Sequence, residues 1–454
     1  MGRRRRRRAL HAPVTSMAAA PGTAARQGRS TGRVFALVDC KCFYCSCERV
    51  FDPALEGVAV AVLSNNDGCV VARSDEVKAA GVRMGDPYFQ CRGRLEAAGA
   101  RVFSSNYALY ADMSRRVMSV LRRFASVQEV YSIDEAFHLL PRLGHDVLPD
   151  VAHEMRETVH RCTGIPIHVG IGATKTLAKV ADELARAHGG VFVFPQADDA
   201  RDRVLSAFPV EDVWGVGPAR AAKLHGLGVT TALDLARVPD DWARRHLTVV
   251  GARTAAELRG ISCLPLDLAP PTRKTIVRSR SFSRPVETRD EMERAVATYV
   301  QRAAEKARRF GLAPAGLSVM ITTRHFGAGP HYERSVSARL PQPTAFTPDL
   351  VRAAKELLGR IWRPGVRYRK AGVTLLDLAD ERPEQANLFV PHDPRKRALM
   401  AAVDAVNGLY GAGTLGVAGA AAGMKARTEG WQMHQQRRSP GYTTDWNGLA
   451  EAQA

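Results

Sequence analysis

Three carboxylates, Asp39 and the adjacent pair Asp134-Glu135, are the residues of this sequence best placed to do chemistry. Asp39 closes the apolar run VFALVD at 34–39, and Asp134-Glu135 lies in YSIDEAF between two further apolar runs. Carboxylates gathered at one end of a sheet repel one another unless a cation neutralises them. Ligand sets made only of oxygen favour Mg2+. Two such ions, about 3.5–4 Å apart, activate an attacking 3′-hydroxyl and stabilise a leaving pyrophosphate. The competing reading is a solvated hairpin turn beside an unrelated strand-end acid, and the order of elements weighs against it.

Between 34 and 172 that order is strand (VFALVD), an inserted stretch, helix (ALYADMSRRVMSVLRRF), strand (QEVYSI), strand (AFHLL), helix (VAHEMRETVHRC) and strand (IPIHVGIG). With the insertion set aside this is βαββαβ, the split βαβ arrangement. Right-handed crossovers place its first and third strands side by side and antiparallel. The end of the first strand then lies against the turn joining the second and third, so Asp39 must face Asp134 and Glu135.

The insertion holds a short strand (VAVAVLS), the turn SNNDG and a helix, SDEVKAAGV, that stops at Gly81. After the first sheet comes the helix TKTLAKVADELARAHGG, capped by Thr174 and ended by Gly189 and Gly190. VEDVWGVGPARAAKLHGLGVTTALDLARV reads as two helices flanking a glycine hairpin, Gly215-Val216-Gly217, with a further helix, ARTAAELRG, behind. LAPPTRK then breaks all periodicity and reads as a linker. Beyond it the split βαβ order repeats, with strands at 276–283, 316–323, 332–339 and 367–378 and helices at 289–310 and 348–361. Thr288 and Glu291 form a capping box for the first of these helices, and Thr347-Pro348 opens the second with a cap and a first-turn proline. From about 381 the chain turns glycine-rich and will not support a large core.

At 454 residues the chain has room for several domains. Its 65 Lys and Arg against 46 Asp and Glu leave +19, which favours a polyanionic partner. Residues 1–38 carry nine Arg and no acid, so about half of that excess belongs to an irregular tail. Residues 276–380 carry nineteen Lys and Arg against ten acids, which marks this region as the one to grip nucleic acid. The segment ALHAPV after the poly-Arg start is too short, and broken by Pro13, to be a secretory core. No run approaches the roughly 18 apolar residues of a membrane helix; export is not expected, and the expected localisation is cytoplasmic, with nucleoid association following only from the resemblance described below. Cys40, Cys42, Cys45 and Cys47 straddle a strand end and a helix start, cannot wrap one tetrahedral ion, and read as packing groups in a reducing compartment.

The runs DCKCFYCSCE (39–48), LSNNDGCVVARSDEVKAAGVRMGDP (63–87), SSNYALYADMS (104–114), YSIDEAF (131–137), GIGATKTLAK (170–179) and DVWGVGPARAAKL (212–224) resemble, in order, the signatures of Y-family translesion DNA polymerases. The resemblance covers about 34–446. It implies an α+β fold of right-hand architecture: a ferredoxin-like palm (34–44 and 107–196), small fingers (45–106), a helix-hairpin-helix thumb (197–268), a linker (269–275) and a βαββαβ little finger (276–380). Residues 1–33 are then a disordered basic extension, and 381–454 a clamp-binding peptide and C-terminal tail.

The resemblance also implies roles. Asp39, Asp134 and Glu135 would be catalytic and, with the Cys40 carbonyl, hold two Mg2+ ions. Tyr44 occupies the steric-gate position, where a ring beneath the sugar rejects a 2′-hydroxyl. Lys78 and Arg186 match positions that bind the dNTP triphosphate. Gly215 and Gly217 would offer backbone N–H groups to a DNA phosphate, and Arg278, Arg280, Arg284 and Arg324 would meet phosphates of the primer-template. Three departures stand out: Lys41 replaces an asparagine, Cys42 a serine or alanine, and Asp75 a phosphate-contacting tyrosine. Gln385-Ala-Asn-Leu-Phe389 resembles a sliding-clamp peptide anchored by Gln385, Leu388 and Phe389. The end, KARTEGWQMHQQRRSPGYTTDWN, resembles the tail of the catalytic subunit of the bacterial mutagenic polymerase, which implies a processed UmuD-like accessory protein and a recombinase as partners. The expected function is translesion synthesis, low in fidelity and distributive, in SOS mutagenesis. The alternatives are a catalytically inactive, clamp-docked scaffold and a nucleotidyl cyclase. The cyclase leaves the hairpin, the second basic unit and the clamp peptide unexplained.

Overall fold

The computed structural model describes residues 34–268, 272–323, 331–381, 393–411, 413–417 and 435–445. The first part of the chain forms β1 (Val34–Cys40), α1 (Phe43–Phe51), β2 (Val60–Leu63), β3 (Val70–Arg73), α2 (Asp75–Ala79), α3 (Tyr88–Ala97), β4 (Arg101–Ser104), α4 (Tyr107–Leu121), β5 (Val127–Val130), β6 (Glu135–Leu140), α5 (Leu148–Thr163), β7 (Ile167–Gly172), α6 (Lys175–Ala185) and β8 (Val191–Val193). Four helices follow: α7 (Asp198–Ala207), α8 (Pro218–Gly226), α9 (Ala232–Arg237) and α10 (Asp240–Leu258). The rest comprises β9 (Ile276–Val286), α11 (Arg289–Arg309), β10 (Leu312–Thr322), β11 (Glu333–Arg339), α12 (Thr347–Ile361), β12 (Tyr368–Asp380) and α13 (Pro394–Tyr410).

β1 is an unbroken apolar run because both of its faces are covered. Val34, Ala36, Val38 and Cys40 join one core with residues of α1, α4 and α5, while Phe35 and Leu37 pack with Phe137 and Ala178 on the other side. The strand therefore sits in the middle of a sheet ordered β5-β6-β1-β7-β8, antiparallel to both neighbours. β8, parallel to β7, is a fifth strand that the periodicity did not predict; three residues are too few to show it. α6 lies unusually close to β7, because Gly170 and Gly172 offer no side chains: a Cβ on Gly170 would stand 2.2 Å from the Asp182 nitrogen. That approach brings the face of α6 carrying Lys179, Asp182 and Arg186 to the end of β1.

The insertion builds its own sheet, ordered β3-β2-β4, around Ala61, Leu63, Val70, Val77, Val82, Cys91 and Leu95. Two strands and α3 in it were not expected; α3 reads YFQCRGRLEA, with only Cys91 and Leu95 buried. Before the glycine hairpin stands a single 3-10 turn, Val210–Asp212, instead of the expected helix. The helix ARTAAELRG is the second half of α10, which breaks at Thr248.

The second split βαβ unit has sheet order β11-β10-β12-β9, with α11 and α12 covering one face. Two of its helix starts differ from expectation. Thr288 accepts from the Glu291 N–H, but the Glu291 carboxylate turns away to Arg284, so half of the capping box forms. Thr347 lies inside α12 and its hydroxyl accepts from Arg308 instead of capping. α13 was missed altogether. It is held by a bidentate Arg308–Asp404 pair, both contacts at 2.7 Å, and by little apolar burial beyond Met400, which leaves a weak periodic signal. Among the described residues no helix is long and apolar enough to cross a membrane.

Candidate active site

The ladder between β1 and β6 sets Asp39 directly opposite Glu135. The Cys40 N–H donates to the Asp134 carbonyl at 2.9 Å and ties the strand end to the preceding turn. Within that turn Ser132 Oγ accepts from the N–H groups of Asp134 and Glu135 at 3.2 and 3.0 Å, and its hydroxyl donates to Asp134 Oδ1. The three acids predicted from the motif order thus converge on one sheet end, beside Cys40.

From the other side α6 supplies the counter-charges. Arg186 donates to Asp39 Oδ2 at 2.9 Å and to Asp182 at 3.4 Å, and Lys179 donates to Glu135 Oε2 at 2.7 Å. His168, opposite Asp39 on the neighbouring strand β7, completes a cluster in which the ligand atoms of Asp39, His168 and Asp182 lie within 4.8 Å of one another. Burial, then the neighbouring Asp182 carboxylate, pushes the Asp39 carboxyl up to about 8, against the pull of Arg186. Burial likewise raises Asp182 to about 6. Burial thus holds both acids short of full ionisation at neutral pH despite Arg186 and Lys179 beside them. His168, Lys179 and Asp182 are the functional candidates that sequence reasoning missed. The spacing of 179, 182 and 186 on one helical face is the signal that could have found them.

Tyr44 projects from α1 into a nest of rings. It stacks on Tyr110 at 4.3 Å and 14°, and meets Tyr107 edge-on at 6.0 Å. Lys78 is bonded to Asp75 at 2.8 Å, and Lys41 holds the other oxygen of Asp75 at 2.7 Å. Two of the three unusual residues are therefore partners, bridging the end of β1 and the inserted unit. Partial burial would raise the Asp75 carboxyl, but hydrogen bonds from Lys41 and Lys78 overcome it and hold it down to about 2. The third, Cys42, lies 3.3 Å from Lys78 Nζ.

Gly215 takes φ +87°, a conformation that favours glycine, and Gly217 caps the start of α8. Arg278 and Arg280 pair with Val373 and Ala371, both on the helix-covered face of the second sheet. They reach past that edge toward Tyr299, Arg302 and Lys306 of α11, instead of onto the open face. Arg284 is engaged with Glu291 at 2.7 Å. The open face presents Ser279, Ser281, Ser318, Ser335, Ser337 and Thr374, small hydroxyls that the expected phosphate contacts did not include. Arg324 and the peptide Gln385, Leu388, Phe389 lie outside the described residues.

Residues 38–183 match the model of the impB/mucB/samB family, residues 273–388 that family's C-terminal domain, and residues 397–452 a domain of unknown function. The protein UmuC of Salmonella typhimurium is 43% identical over 424 residues, spanning 92% of this chain and 99% of that protein. A DNA polymerase IV of Caulobacter vibrioides is 29% identical over 378 residues, spanning 83% and 91%. Among solved structures, the Y-family DNA polymerase chimera Dbh-Dpo4(243-245)-Dbh superposes with a TM-score of 0.62 at 20% identity, over 76% of this chain and 99% of that one. Its likeness extends the right-hand α+β polymerase fold to this molecule. The chain belongs to the impB/mucB/samB family and is UmuC-like over nearly its whole length.

Proposed function

We infer that this DNA-directed DNA polymerase of translesion synthesis and SOS mutagenesis extends primers at the β1–β6 sheet end. The observation that carries the reading is the pairing of Asp39 with Glu135 across that ladder, with Asp134 tied to Cys40 beside them. The donor set fits divalent metal, since the carboxylates are oxygen donors and burial, with neighbouring carboxylates, drives Asp39 and Asp182 toward their neutral forms, a cost that a bound cation would offset. Two Mg2+ ions would be held by Asp39, Asp134, Glu135 and the Cys40 carbonyl, and when bound they supply activation of the primer 3′-hydroxyl and charge neutralisation of the leaving pyrophosphate.

The remaining steps belong to the chain's own residues. Arg186 exchanges its bond to Asp39 for the incoming triphosphate, and Lys78 adds a point charge from the inserted unit. Tyr44 lies beneath the sugar and rejects a 2′-hydroxyl. The N–H groups of Gly215 and Gly217, the serine-lined face of the second sheet and the edge arginines Arg278 and Arg280 track the primer-template backbone without reading bases. Arg324 is proposed to add a further phosphate contact, whereas Arg284 is taken up by Glu291 and contributes less. We read 34–44 with 107–196 as palm, 45–106 as fingers, 197–268 as thumb and 276–380 as little finger.

Partners follow from the same reading: a sliding clamp through Gln385, Leu388 and Phe389, and a UmuD-like accessory protein and a recombinase through kinship with UmuC. Deleting residues 385–389 should reduce clamp-stimulated synthesis, and undiminished stimulation would count against that assignment. Incorporation of single dNTPs with Mg2+ tests the central reading. Each template base should direct its own nucleotide, and incorporation that ignores the template would contradict it.

A further inference from the structure

The segment 435–445 lies within the stretch matched only as a domain of unknown function, yet it returns to the nucleotide side of the molecule. It runs beside β4, with the Ser104 N–H donating to the Arg437 carbonyl at 2.9 Å and the Arg437 N–H to Ser104 Oγ at 3.0 Å. Asn106, the residue that begins α4, spends its side chain on this segment. Its Nδ2 donates to Ser439 Oγ at 3.0 Å, to the Ser439 carbonyl at 3.3 Å and to the Pro440 carbonyl at 3.0 Å. Tyr442 stacks on Phe51 at the end of α1, 4.5 Å away and at 10°. One short segment therefore grips both helices that build the ring nest, α1 with Tyr44 and α4 with Tyr107 and Tyr110.

Its deepest contact is to a buried acid. Glu48, one turn beyond Tyr44 on α1 and only 1% exposed, accepts on the same oxygen from the Tyr110 hydroxyl at 2.6 Å and from Ser439 Oγ at 3.1 Å. The Tyr110 ring, fully buried, is the one stacked on Tyr44. A buried carboxylate depends on such donors, and removing one weakens what the other can hold. Burial pushes the Glu48 carboxyl up, while the hydrogen bonds from Tyr110 and Ser439 oppose it.

We propose that the C-terminal segment is part of the sugar-selecting apparatus: Ser439 acts as a positioning residue that, through Glu48 and Tyr110, fixes the ring of Tyr44. The inference rests on the reading of Tyr44 as the sugar gate, and it gives this region a task within the polymerase itself.

The test is the ratio of kcat/KM for a dNTP to that for the matching rNTP, measured on the full chain with primer-template and Mg2+. Ser439→Ala should lower the ratio about tenfold, the scale of one hydrogen bond to a charged group, and Ser439→Thr, which keeps the hydroxyl, should restore it. Tyr110→Phe, which keeps the ring, should lower the ratio similarly, and the double variant should add little, since both act through Glu48. A ratio unchanged in Ser439→Ala and Tyr110→Phe, or rates for both nucleotides lowered equally, would overturn the proposal while a relaxed Tyr44→Ala leaves the gate intact. Should Tyr44→Ala itself leave the ratio unchanged, the gate reading fails and this proposal with it.

Discussion

Lys41 and Asp75 form an ion pair of 2.7 Å between the end of β1 and the start of α2, and Lys78 closes on the other Asp75 oxygen. Each residue alone departs from, or sits beside a departure from, the family pattern; together they form a paired cluster of net charge +1 beside the candidate triphosphate site. Partly exposed ion pairs contribute about 0–1 kcal/mol to stability, so the cluster's effect should lie in binding. Lys41→Ala and Lys78→Ala should each raise the KM for dNTP by roughly three- to tenfold, about 1 kcal/mol of lost attraction. Asp75→Asn should lower it by removing a negative charge, and steady-state single-nucleotide kinetics would show the sign. A raised KM in Asp75→Asn would make Asp75 a residue that aims the lysines instead of one that competes for them.

Burial of Asp39 beside Asp182 governs how it binds metal. Asp39, pushed up to about 8, keeps a proton in the metal-free protein at neutral pH, and a divalent cation must expel it. Affinity for Mg2+ should therefore climb as pH rises toward 8 and level off above it. Calorimetry in buffers of different ionisation enthalpy should register proton release, absent in Asp39→Asn. The sign for stability is opposite. The metal-free fold binds a proton that the unfolded chain has lost above about 4, so its stability falls as pH rises from about 4 to about 8. Binding that is independent of pH between 6 and 8 would contradict the placement of metal at Asp39.

Glu257 is a structural acid with a different duty. Fully buried on α10, it accepts from the N–H groups of Thr176, Cys263 and Leu264, at 3.0, 2.6 and 3.0 Å, and its backbone carbonyl accepts from Thr174. Glutamine would turn an NH2 group toward donors. Glu257→Gln should cost about 1–3 kcal/mol in chemical denaturation, whereas Glu257→Ala adds a cavity to the same loss.

The arginines of β9 should separate into two classes. Arg278→Ala should weaken primer-template binding alike on all sequences and reduce the salt slope by about 1. Arg284 is committed to Glu291, so Arg284→Ala should change the salt slope less and lower the melting temperature more. Fluorescence anisotropy across a salt series, with a melt of each variant, distinguishes them.

What could be read without coordinates followed the strength of the physical signal. The encounter of Asp39 with Asp134 and Glu135 was legible because strand order and crossover hand decide it, and the second split βαβ unit because its helices carry full apolar stripes. The contribution of α6 was hidden, since Lys179 and Asp182 look like solvated helix charges until Gly170 and Gly172 let the helix settle on β7. β8 and α3 bury too few residues to show a period. The direction of Arg278 and Arg280 depends on which face of the sheet α11 covers, and a strand's alternation alone leaves that open. The return of Ser439 to Glu48 spans 391 residues and leaves no local trace.

The most direct measurement is extension past an abasic template site by the purified chain with Mg2+, clamp and accessory protein, set beside Asp134→Asn. The wild-type chain should insert opposite the lesion and extend beyond it. The variant should still bind primer-template with undiminished affinity and extend nothing. No extension by the wild type, or equal extension by the variant, would contradict an active site built on Asp39, Asp134 and Glu135.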